Sequence, residues 1–315
     1  MIASPSSAQP LLRAVLLAAV LVPLGLYVCR PARSATLTPG RRHLIRPPLS
    51  KMVRIPGGWF SMGTDKAGLK SAIGLCLQDL RPTTRRQRRV CGLHLFRDEI
   101  PKRRVYVSTF EIDRWEVTRG AYRNCVTAGV CSLPRHTPPP APFGGDRAPI
   151  VEVTWHQAQT YCAWRSKRLP TEAEWEKAAR GPYGKRWPWG NQWNTRFCNH
   201  GTLHPVTTHF DADSTDGHTW VAPVGTLLSD RSFYGVFDMA GNVSEWVADR
   251  YTARPAAPGR RSRLARINPP GPKHGAHRVL KGGSWLGPRF LTRAASRLSY
   301  DPKKSEAFVG FRCAR

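Results

Sequence analysis

The residues best suited to chemistry in this 315-residue chain are its eight cysteines, a run of histidines and a close set of glutamates. Cys125 and Cys131 lie in CVTAGVC with a glycine between them, a spacing that predicts a disulfide. Cys76 and Cys91 flank a strongly basic stretch and are read as a further pair. His200, His204 and His209, with His218 nearby, offer imidazoles for a transition-metal cluster. The spacing HGTLH would suit one helical face, but Gly201 and Pro205 argue against a helix there. Glu172, Glu174 and Glu176 have the types for acid chemistry, yet helix capping and solvated helix faces account for them too. No HExxH, GxSxG or phosphate-loop string is present.

The elements that must position these residues are short. MVRIPGGWFSMG, from Met52, reads as a strand, a glycine turn and a second strand. Val105 and Val107, then Phe110 and Ile112, alternate as strand positions. Thr118 and Thr154 are N-caps of two helical segments, and Thr171 with Glu174 forms a capping box for a third. Residues 134–149 form a proline-rich loop, and 181–235 read mostly as loops. Short strands are expected around Phe237, Val247, Val279 to Lys281 and Phe308 to Cys313. Together these describe an irregular α+β domain. Trp155, Trp164, Trp175, Trp187 and Trp189 read as core residues rather than sugar platforms.

Charge narrows the function classes. Lys and Arg number 49 against 21 Asp and Glu, a net charge of +28. Nine of the cations fall between Arg81 and Arg104 against Asp98 and Glu99 alone, and Arg254, Arg260, Arg261, Arg263 and Arg266 form a second cluster. Such runs attract phosphate, acidic polysaccharide or anionic head groups, or serve simply as solvated loops. No nucleic-acid module accompanies them, so no specific nucleic-acid partner is expected. Residues 14–29 (AVLLAAVLVPLGLYVC) follow Arg13 and are short for a spanning helix. Residues 1–34 therefore read as a signal peptide, with a signal anchor through 14–29 as the other reading, and 35–50 as a linker. Either way an exported chain is expected, periplasmic, envelope-associated or secreted, where disulfides persist.

RIPGGWFSMG, FEIDRWEVTRGAY, RLPTEAEWEKAARG, YGVFDMAGNVSEWVADRY, RVLKGGSW and VGFRCAR occur in that order. Over 51–315, with a basic insertion at 66–104, this chain resembles the formylglycine-generating enzyme, or sulfatase-modifying factor, family. The resemblance implies a C-type-lectin-like domain with little regular secondary structure. It also implies a disulfide between Cys162 and Cys313, which leaves Cys198 over, as a reactive or a buried inert thiol. Active members oxidise a sulfatase cysteine with oxygen and copper held by two cysteines after the GGS motif. Gly287 and Thr292 stand at those positions, and no cysteine lies between Cys198 and Cys313. Copper is therefore not expected. The resemblance implies structural calcium at Asn199, the His200 carbonyl, Asp216 and the His218 carbonyl. It implies a second calcium at Asn242, the Val243 carbonyl and Glu245. These residues point to a non-catalytic binding or accessory module, with a formylglycine-generating oxidase or another oxidation in the same cleft as the alternative. The partner expected is a protein or an acidic envelope polymer.

Overall fold

Thr171 and Glu174 close a capping box, side chain to backbone in both directions, and start the helix α5, Glu172–Arg180. Acids in its first turn and Lys177 and Arg180 in its last suit the helix dipole. Every residue of α5 is buried. This corrects the expectation of a solvated glutamate face. The computed structural model describes residues 51–82, 84–136, 145–204, 210–253 and 266–315. The export segment, the linker, His209 and Arg254, Arg260, Arg261 and Arg263 lie outside them.

Two hairpin-like pairs flank α5. Strand β1, Met52–Ile55, pairs antiparallel with β4, Phe110–Asp113, and β2, Gly58–Met62, pairs with β3, Arg103–Val107. Their inward residues Ile55, Phe60, Val105 and Ile112 pack with Trp175, Ala178 and Ala179 of α5 in one core cluster. A four-stranded sheet lies beyond: β7, Ser244–Arg250, and β8, Arg278–Lys281, run at its centre. Strand β9, Leu298–Tyr300, forms one edge, and β10, Val309–Phe311, pairs parallel with β7 at the other. A second cluster joins this sheet through Trp246, Leu280 and Phe311 to two more helices, α3, Arg119–Thr127, and α4, Trp155–Trp164. Thr118 and Thr154 accept from the backbone as their N-caps, the latter in a full capping box. Within 181–235 the described residues include one small pair, β5, Gly201–Leu203, with β6, Phe210–Ala212.

The basic insertion is helical rather than a loop. Helix α1, Lys66–Leu80, is capped by Asp65, and α2, Arg85–Val90, by Thr84. Leu69, Ala72, Cys76 and Leu80 turn inward and meet Cys91, Phe96, Leu203 and Phe290. The Cys76–Cys91 disulfide ties α1 to the end of α2. Cys125–Cys131 and Cys162–Cys313 are the other disulfides among the described residues. Arg85, Arg88 and Arg89 face solvent on α2. Among the described residues no helix is long and apolar enough to cross a membrane.

Candidate functional site

Burial of α5 is tolerable because its charges are paired, as buried charges must be. Arg297 holds Glu172 through two bonds of 2.8 and 2.9 Å. Glu176 accepts from Lys281 at 3.2 Å, Arg180 at 2.9 Å and the Gly63 amide at 2.6 Å. Burial works to raise both carboxyls, but the neighbouring cations outweigh it and hold them below the usual range. The Lys177 ammonium donates to the carbonyls of Pro56, Gly58 and Val107. These glutamates cross-link strands; none is a free acid for chemistry.

Two acids beside this network go the other way. Burial pushes Asp98 up to about 6, and burial with the Glu172 charge pushes Asp249 up to about 7. Each folded carboxyl keeps its proton to a higher pH than the unfolded one. Their contribution to stability is complete below the unfolded range and is lost as pH rises through 6 to 7. The thermal midpoint is therefore expected to fall between about pH 5 and about pH 8, and less steeply in Asp249→Asn. A wild-type profile flat across that span would contradict this.

The loop after β8 carries the residues matched to the copper-binding pair. Thr292 is fully buried, accepts from the Trp187 indole N–H at 3.1 Å and donates to the Arg289 carbonyl at 2.9 Å. Gly287 sits in a turn whose amide donates to Ser284. A Cβ built there would meet its nearest neighbour at 3.5 Å, so a larger residue is sterically admissible. Cys198 is the one free cysteine of the described residues, completely buried and beside Thr292. Burial, with Asp230 and Asp216 nearby, pushes its thiol well up. A protonated lone thiol beside a hydroxyl does not fit a cuprous ion, which selects thiolates. Trp155, Trp175 and Trp187 are core, while Trp164 and Trp189 are half-buried, and Trp189 stacks on Trp187.

The first calcium set is different. Asn199 is fully buried; its amide N–H groups donate to the Trp220 carbonyl at 2.7 Å and to Asn242 at 3.2 Å. That leaves its Oδ1 buried without a donor. Asp216 accepts the His218 amide on Oδ1, and its Oδ2 is likewise buried and unpartnered. Burial pushes this carboxyl up. A buried amide oxygen and a buried carboxylate oxygen without protein donors are hard oxygens of the kind that calcium takes. The His200 ring is spent on Thr195 and the Gly201 carbonyl, at 2.8 and 2.7 Å. Among the described residues no group of three or more His, Cys, Asp or Glu is arranged to hold a metal.

In the second set the side-chain oxygens are committed. Glu245 is held by Arg312 at 2.6 and 2.7 Å and by the Trp175 indole at 2.9 Å. Asn242 Oδ1 accepts from Ala222 at 2.8 Å as well as from Asn199. Val243 is buried beside them. Sequence reading missed the acids around this set: Glu116, Asp230 and Asp238 are buried, and burial raises all three. Glu116 Oε2 and Asp230 Oδ1 have no donor. Nothing in their local sequence marks them, since they meet only through tertiary packing.

A family model for the sulfatase-modifying factor enzyme 1-like domain matches residues 42–315. A formylglycine-generating enzyme of Thermomonospora curvata is 42% identical over 53% of this chain and 55% of its own length. The inactive C-alpha-formylglycine-generating enzyme 2 of Bos taurus is 30% identical over 84% of this chain and 87% of its own. Among solved structures, PvdO from Pseudomonas aeruginosa is similar at a TM-score of 0.61 and 25% identity, covering 84% of this chain and 93% of that one.

Proposed function

The chain belongs to the sulfatase-modifying factor family and has its α+β, C-type-lectin-like fold, and from that premise we propose that it is a non-catalytic binding or accessory module. The reading is carried by the loop after β8, where Gly287 and a hydrogen-bonded, buried Thr292 stand in place of two thiols. Relatives of both kinds, active and inactive, exist in the family, so membership leaves the choice to these residues. The test is incubation with copper, oxygen and a peptide carrying the sulfatase CxPxR motif, followed by mass spectrometry. No conversion of the cysteine is expected. Turnover at the rate of an active member would overturn the reading in favour of the oxidase.

The proposal extends to calcium at Asn199 and Asp216, with the carbonyls of His200 and His218, where the buried oxygens without protein donors support it. Calcium at about a hundred times its Kd should add about 2.7 kcal/mol to stability. Asp216→Ala should abolish that increment in a thermal melt, and a melt of the wild type indifferent to calcium would refute the site. Export is part of the same proposal, by cleavage after residues 1–34 or by anchoring through 14–29. So is a protein or acidic envelope polymer partner, met by Arg85, Arg88 and Arg89 on α2.

A further inference from the structure

A cavity of about 300 Å³ opens where the start of α1, the end of α5 and the 184–191 loop meet. Lys102, Arg180, Arg186 and Arg293 line it, with Thr64 and Asn191 between them. Its one lining acid, Asp65, is bound to Lys102 at 3.2 Å. Arg293 is held from behind by Glu99, at 2.6 and 2.8 Å, and Arg180 by Glu176 and the Gly63 and Gly184 carbonyls. Arg180 is more than nine-tenths buried, yet its Nε–H has no acceptor. Arg186 pairs with no carboxylate among the described residues. It makes one long bond of 3.4 Å to the Asn191 carbonyl and lies against the Trp187 ring. Burial and the Arg293 charge both act against its protonated form, so a counter-anion there would be stabilising.

Guanidinium forks and an ammonium on four separate segments suit an anion that presents oxygens in three dimensions, which a planar carboxylate does not. We propose that this cavity binds a tetrahedral oxyanion, phosphoryl or sulfuryl, carried on a small molecule. The site is independent of the accessory reading, since no residue in it replaces a family cysteine.

Calorimetric titration of the full chain with inorganic phosphate, sulfate, a hexose phosphate, a hexose sulfate and the free hexose tests this. Binding of at least one oxyanion with a Kd of about 1 mM or tighter is expected, with no response to the hexose. Preference between the two anions identifies the source. Arg186→Gln should weaken binding by on the order of ten- to a hundredfold. Asn191→Asp keeps the acceptor for the Arg186 amide but adds a charge, and should weaken it as well. Arg88→Gln, on the exposed face of α2, should not. Absence of binding by every oxyanion, or equal loss in Arg88→Gln, would overturn the proposal.

Discussion

Replacing Cys162 and Cys313 by alanine is expected to lower the unfolding free energy by about 5 kcal/mol, a large share of the roughly 5 to 15 kcal/mol typical of a folded domain. The bond spans 151 residues, more than either other disulfide among the described residues, and chain-entropy cost grows with the logarithm of that span. The same relation assigns about 2 kcal/mol to Cys125–Cys131, which closes a span of 6. Both long-range sulfurs are buried among Trp155, Trp246 and Phe311, so truncation also removes packing there. Urea titration of the two double variants checks the contrast. The long-range variant should show the lower midpoint and a steeper slope, because its unfolded chain expands further. Similar midpoints for the two would show that native packing, rather than the constraint on the unfolded chain, decides these stabilities.

Helices α3, α4 and α5 are legible because each begins with a threonine whose side chain closes on the backbone three residues later. Helix α1 carried a comparable signal: Asp65 as N-cap, then Leu69, Ala72, Cys76 and Leu80 one helical face apart. The glutamates of α5 are harder. Glu172 and Glu176 are separated by one turn, as a solvated face would have them, and their partners Lys281 and Arg297 lie more than a hundred residues away. Only the fold brings them together. At the set proposed for calcium the residue types are readable, but the observation behind the proposal is that Asn199 Oδ1 and Asp216 Oδ2 are buried without a protein partner. That state depends on where every neighbouring donor points.

The terminal string GFRC shows how densely one stretch can be constrained. A Cβ on Gly310 would come within 2.5 Å of the Ile150 carbonyl, so the strand approaches too closely for a side chain. Phe311 fills the second core cluster opposite Trp246, and Cys313 closes the long disulfide. Arg312, between them, is completely buried and forks onto Glu245 of the GNVSEW string. Its remaining N–H groups reach the carbonyls of Asp113, Arg114 and Asp238. The charges of the buried acids Glu116 and Asp238 also favour its protonated form.

Arg312→Met should therefore cost about 3 to 5 kcal/mol, because it strands Glu245 as a buried charge without its fork. Removing the partner's charge as well, in Arg312→Met with Glu245→Gln, should return part of that loss. The single variant suffers mainly from the uncompensated carboxylate rather than from the lost pair. Denaturant unfolding of the wild type, both single variants and the double variant closes the cycle. If the double variant is as unstable as the sum of the singles, Arg312 acts through its carbonyl contacts and the ion pair contributes no coupling. A positive recovery instead means that the pair acts as a unit, tying Glu245 of β7 to the residue that follows β10.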